Sequence, residues 1–94
     1  TEINIPSSVT ILGDSAFQFN ELTSVNIPNS IAYIGQEAFR NNLISSLTIP
    51  DSVTEIGPLS FYNNNLLEVT LPSTCRYQSN SFDSNTVITG GVLI

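Results

Sequence analysis

The chain has 94 residues, with eight carboxylates against two basic residues, Arg40 and Arg76, and a formal charge of −6. Such a surface repels phosphate backbones and anionic headgroups, so nucleic-acid and membrane-surface binding are excluded as primary functions. With no His and a single Cys, Cys75, the chain has the donors for neither an intrachain disulfide nor an ordinary zinc site, and no cofactor is expected.

Taken from the N-terminus, the chain repeats itself. Pro6, Pro28, Pro50 and Pro72 stand at intervals of 22 residues, and Gly13, Gly35 and Gly57 keep the same interval. A fixed period of this length is the mark of a solenoid, in which each coil buries its apolar face against the next. One domain is expected over residues 1–94, with turns bounded near 1–21, 22–43, 44–65 and 66–86 and a terminal partial turn over 87–94. No apolar run is long enough to cross a bilayer, so membrane insertion is not expected. The pattern is already in mid-unit at Thr1, so the chain is expected to be a piece of a longer protein.

Each unit opens with a strand. Ile3-Asn4-Ile5-Pro6 alternates apolar and polar residues and closes on a proline, which cannot donate to a ladder. The same signal returns at Val25-Asn26-Ile27-Pro28, Leu47-Thr48-Ile49-Pro50 and Val69-Thr70-Leu71-Pro72. Twenty-two residues leave no room for a hairpin partner, so each strand must pair with its equivalent in the next coil. The expectation is a parallel sheet with strands roughly 4.8 Å apart.

After the proline, Val9 and Leu12 lie three apart before Gly13, as do Ile31 and Ile34 before Gly35. This spacing predicts a tight turn or very short strand, with Gly35 free to take positive φ. Gln36-Glu37-Ala38-Phe39 then reads as one helical or 3₁₀ turn. Phe17, Phe39 and Phe61 fall in one phase and are expected to stack as a ladder. Asn20, Asn42 and Asn64 share another and are expected to satisfy main-chain groups of the bend. The fourth turn slips: Phe82 follows Phe61 by 21 residues, one residue being lost between Cys75 and Tyr77. On that alignment Val87 takes the place of Leu66 and Gly90 that of Val69.

With these elements in place, the pattern I-P-x-S-V-x-x-I-G-x-x-A-F-x-x-N resembles the BspA-like (Treponema pallidum-type) leucine-rich repeat, strongly over residues 1–78 and weakly beyond. The resemblance implies an α/β-type repeat solenoid, a right-handed leucine-rich-repeat superhelix of about four 22-residue turns. A parallel β-sheet would form one face and short helical or 3₁₀ turns the other. It also implies a secreted or cell-surface location, a non-enzymatic role in adhesion or host-protein binding, and no catalytic residues.

Cys75 shares the slot of Val9, Ile31 and Val53, so it reads as a small buried hydrophobe. The outward face of the strands carries two polar columns, Glu2, Ser24, Ser46 and Glu68 beside Asn4, Asn26, Thr48 and Thr70. Concave repeat faces are where protein partners dock, which makes these residues candidate contacts together with the outward aromatics Tyr33 and Tyr62. No aromatic stands in either polar column, so broad or avidity-based recognition is expected rather than a tight hot spot. The alternative function is a structural spacer within a longer surface solenoid whose binding site lies elsewhere. Open strand edges at the two ends also predict weak end-to-end self-association.

Overall fold

A computed structural model describes residues 2–94; Thr1 and the side chain of Glu2 lie outside the described part. The chain winds into a parallel-strand β-solenoid of about four turns. Its first wall begins with β1 (Glu2–Asn4), paired in parallel with β3 (Ser24–Asn26) at Ile3 opposite Val25. Farther along, β6 (Glu68–Thr70) pairs with β8 (Val87–Thr89).

The third coil departs from expectation: residues 46–48 form no strand and separate the first wall into two pieces. The unbroken sheet lies instead on the second wall, where a tight turn or very short strand was predicted. There β2 (Ile11–Leu12), β4 (Tyr33–Ile34), β5 (Glu55–Ile56), β7 (Arg76–Tyr77) and β9 (Val92–Leu93) stack in that order, each parallel to the next. In β2, β4 and β5 two residues suffice because one side chain of each pair points inward, whereas both side chains of β9 are exposed. Leu12, Ile34 and Ile56 are buried, while Ile11, Tyr33 and Glu55 face outward.

The third wall corrects the expected helical or 3₁₀ turns, for no helix occurs among the described residues. A helix would direct its N–H groups along its own axis. Here alternate N–H groups reach across to the next coil: Ser15, Phe17 and Phe19 donate to the carbonyls of Gln36, Ala38 and Arg40 at 2.7–2.9 Å. Glu37, Phe39 and Asn41 donate in turn to Pro58, Ser60 and Tyr62 at 2.7–3.0 Å. The intervening groups close tight turns, such as Ala38 N–H to Gly35 O at 3.2 Å. This alternation needs left-handed backbone at two places per coil, and non-glycine residues supply it: Ser15, Glu37 and Leu59 in one column, Phe19, Asn41 and Asn63 in the other, all with φ of 58–61°.

The positive φ expected at Gly35 is therefore found two residues later, at Glu37. Gly35 serves close approach instead: a Cβ there would stand 2.7 Å from Leu12 O and 2.8 Å from Asp14 N.

Inside, Phe17, Phe39, Phe61 and Phe82 stack with ring centroids 5.2–5.3 Å apart and planes within 12°. Ile31, Ile34, Phe39, Ile44, Val53 and Ile56 have no exposed surface. The first coil is less covered, with Ile3, Val9 and Phe17 only partly buried against this core.

The last coil corrects the alignment read from the sequence. Ile88, not Gly90, stands opposite Val69, and Val87 stands opposite Glu68 rather than in the slot of Leu66. The loop before β8 has shortened further, with Asp83 carboxylate oxygens receiving the N–H groups of Asn63 and Asn64 at 2.7 and 3.0 Å. Gly90 and Gly91, at φ of 79° and 75°, then turn the chain sharply into β9. A Cβ on Gly90 would lie 2.3 Å from Leu71 O, so only glycine fits. The apolar tail thus folds back on its own molecule: Val92 N–H donates to Cys75 O at 2.7 Å and Ile94 N–H to Tyr77 O at 2.9 Å.

Candidate functional site

The outward side chains of the first wall follow from the period-two alternation of the strands. Val25, Ile27 and Ile49 are buried, leaving Asn4, Asn26, Ser46 and Thr48 exposed and Ser24 half-exposed. These five line one groove of about 710 Å³, together with Asn29, Asp51 and the backs of the apolar residues beneath. Its polar groups are amides and hydroxyls, and Asp51 is the one ionisable group on its lining.

The groove lies where the first wall opens. Main-chain bonds between the second and third coils run from Leu43 N–H to Leu22 O at 2.8 Å and from Ser45 N–H to Thr23 O at 3.3 Å. Beyond Ser45 they stop, and they resume only at Thr54 N–H to Ala32 O, 2.9 Å. Between the third and fourth coils the ladder likewise halts after Asn65 N–H to Ile44 O at 2.9 Å.

The other candidate contacts lie apart. Glu68 and Thr70 are exposed on β6 but do not line the groove. Of Glu2 only the main chain is described, paired with Ser24. Tyr33 belongs to the second wall, between Ile11 and Glu55. Partial burial and the carboxylates of Asp14 and Glu55 raise its phenol pKa above the ordinary value. Tyr62 sits on the turn wall with the Arg40 guanidinium 5.8 Å from its ring centroid, and Arg40 in turn pairs with Glu37. The strand face and the two tyrosines therefore form three separate surfaces.

The asparagines sit at the bend between the third and first walls. Asn42, 4 % exposed, donates from Nδ2 to Phe39 O at 3.0 Å and to Phe17 O of the previous coil at 2.9 Å, while its Oδ1 accepts from Leu22 N–H at 3.1 Å. Asn64 repeats this on Phe61 O, Phe39 O and Ile44 N–H, each at 3.0 Å. Asn20 is exposed, and among the described residues its Nδ2 donates to Phe17 O at 2.9 Å and to Gln18 O at 3.3 Å of its own coil.

Two participants carry no obvious mark in the sequence. Ser60 and Ser81 are fully buried where the second coil has Ala38; the Ser60 hydroxyl lies 2.7 Å from Gly57 O and 2.8 Å from Gly35 O. A serine at an alanine position of the repeat is the available signal.

Cys75 is buried, and burial foremost, with the Glu55 carboxylate second, pushes its thiol up to about 11. A protonated, enclosed thiol is a poor nucleophile at neutral pH. Among the described residues no three of His, Cys, Asp and Glu gather in a way that could hold a metal ion. No helix among them is long and apolar enough to cross a membrane.

The family profile of the BspA type leucine rich repeat region (6 copies) matches residues 1–90. No curated protein and no solved structure matches the chain.

Proposed function

The chain belongs to the BspA type leucine-rich-repeat family, and on that premise we propose that it is a protein-interaction module of a secreted or cell-surface protein, acting in adhesion or host-protein binding through its strand face. Repeats of this family serve in general as non-enzymatic interaction modules. The observation that carries the reading is the groove that gathers Asn4, Ser24, Asn26, Ser46 and Thr48 on the outward side of the first wall. Neutral hydrogen-bonding groups on a repeat surface suit a broad, wet protein contact better than a small buried ligand.

Surface plasmon resonance against purified extracellular-matrix proteins tests it. Asn26→Arg with Thr48→Arg should weaken binding at least tenfold, whereas Ser79→Arg on the turn wall should leave it unchanged. The reverse pattern would move the contact to the turn wall. Binding indifferent to all three substitutions would favour the spacer reading, in which these coils only hold a distant site in place.

A further inference from the structure

The carboxylates of this molecule are unevenly satisfied. On the second and third walls each described one meets a donor or stands beside a cation. Asp14 Oδ1 accepts the Gln36 N–H at 3.0 Å, and the Asp83 oxygens accept those of Asn63 and Asn64. Glu37 pairs with Arg40, and Glu55 stands in register with Arg76. Glu21, at the bend, is engaged as well. The first wall differs: Asp51 and Glu68 are both exposed, and among the described residues no donor reaches either carboxylate. These two bracket the strand face. Glu68 opens β6 in the column of Ser24 and Ser46, and Asp51 follows Pro50 in the column of Asn29. The outward residues Asn4, Asn26, Thr48 and Thr70 carry amides and hydroxyls alone, and both arginines belong to other walls. The field over this face therefore has one sign, with no cation close by to cancel it.

We infer that the strand face binds a basic segment of its partner protein, laid over the outward surface with one lysine or arginine at Asp51 and a second at Glu68. This rests on the proposed interaction role and names the chemistry of the partner. Glu68 and Asp51 differ by five strand positions and one coil, roughly 17 Å. Two lysines at the ends of a six-residue extended stretch are about as far apart. Between them the side chains of Asn26, Ser46 and Thr48 both donate and accept, so they can meet the main-chain groups of a segment that stays on the surface. Charge also decides against other occupants. An acidic segment, a nucleic acid or an acidic polysaccharide is repelled by a face without a cation on a molecule of −6. A second copy of this chain is repelled for the same reason. A hard metal ion needs its carboxylates close together, and these two stand far apart.

The test titrates ¹⁵N-labelled chain with three end-capped peptides at millimolar concentration: Lys-Ser-Thr-Ser-Thr-Lys, its counterpart with glutamate for both lysines, and Lys-Lys-Ser-Thr-Ser-Thr. The first should shift resonances confined to residues 24–29, 46–51 and 68–70, the glutamate peptide none, and the third should bind more weakly than the first. Asp51→Asn and Glu68→Gln should each weaken the first peptide roughly two- to fivefold. Glu55→Gln, which removes the same unit of charge from the second wall, should leave it unchanged. Both face variants alter exposed groups, and Asn29 already places asparagine in the Asp51 column, so the fold should be kept. Binding should also weaken as ionic strength rises from about 10 mM to about 150 mM and the reach of these charges shrinks from roughly 30 Å to 8 Å. No response to the first peptide would overturn the inference. So would equal weakening by Glu55→Gln, which would reduce the attraction to net charge, or an equal response to adjacent lysines, for which one carboxylate would suffice. A matrix protein sensitive to Asn26→Arg with Thr48→Arg but indifferent to Asp51→Asn and Glu68→Gln would leave the strand-face reading standing and overturn the basic segment alone. A lysine peptide that binds as described while no matrix protein does would overturn the adhesion reading alone.

Discussion

Asn42 holds Leu22 across the boundary between two coils, its Oδ1 accepting the Leu22 N–H at 3.1 Å while its Nδ2 bridges the carbonyls of Phe17 and Phe39. One carboxamide thus satisfies three main-chain groups at the bend between the third and first walls. Asn42→Ala should lower stability by about 1–3 kcal/mol in a two-state denaturant titration, because the N–H and carbonyls would stay buried without partners. Asn42→Asp keeps the acceptor and loses both donors, so it should also destabilise. Asn20→Ala should change little, since that side chain is exposed. Equal losses at Asn20 and Asn42 would contradict this account.

Phe39 has a ring on either side and no exposed surface. Phe39→Ala should cost about 3–5 kcal/mol by leaving a cavity in the middle of the stack. Phe17→Ala, at the half-buried end, should cost clearly less. Urea unfolding of the two variants side by side would check the order.

Phe19 occupies a left-handed backbone position and is 69 % exposed. The equivalent residues Asn41 and Asn63 adopt the same φ and join side chains, Asn63 Nδ2 donating to Asn41 Oδ1 at 2.7 Å. Asparagine tolerates this conformation better than a bulky side chain. Phe19→Asn should therefore stabilise the chain by about 1 kcal/mol and extend the side-chain row by one member. A lower midpoint in thermal unfolding would show that the phenyl ring makes a contact worth more than the strain.

Alkaline pH should weaken the fold. The buried thiol of Cys75 prefers its neutral form, with a pKa raised from 9.0 to about 11. The unfolded chain releases that proton first, so the contribution is full below about pH 9 and disappears as pH rises towards 11. The change should be on the order of 2 kcal/mol. Tyr33, raised in the same direction, adds to the loss at the upper end. Cys75→Val, matching Val53 in the coil before, should flatten the stability profile over this window. A profile unchanged by the substitution would remove the thiol as the cause.

Among the described residues β1, β2 and β9 each pair through one edge, and Ile11, Val87, Val92, Leu93 and Ile94 are exposed. We expect weak end-to-end association, opposed by the −6 charge and stronger as salt screens it. Sedimentation velocity should show a rising mean mass with concentration and with salt. A single monomer boundary throughout would mean that the edges repel each other.

Spacing alone carries much of this architecture. Prolines, glycines and phenylalanines 22 residues apart place one of each in every coil, and the alternation around each proline decides which strand residues face inward. It does not decide whether neighbouring main chains are bonded. Ser46-Leu47-Thr48-Ile49 alternates in the same way as Ser24-Val25-Asn26-Ile27 and Glu68-Val69-Thr70-Leu71, yet it alone stands unpaired. The groove was therefore hidden in a stretch whose side chains look ordinary. The turn wall was obscured for another reason: left-handed φ falls on Ser15, Glu37 and Leu59, residue types that do not announce it. Only Asn41 and Asn63 carry a recognisable preference. The short last coil escaped because Gly90 looked like a lost valine, when together with Gly91 it makes the sharp turn that returns the tail.

The phenylalanine stack and the asparagine bridges join each coil only to its immediate neighbours. Under tension applied between the two termini, such a molecule would peel rather than shear, releasing one coil at a time from whichever end yields first. Each release would free about 22 residues and lengthen the chain by roughly 70 Å, a series of similar steps in a force–extension trace. The third coil, whose strand segment is bonded to neither side, should come away at the lowest force once its turn is reached. A tether built this way would lengthen by stages under load before it parts.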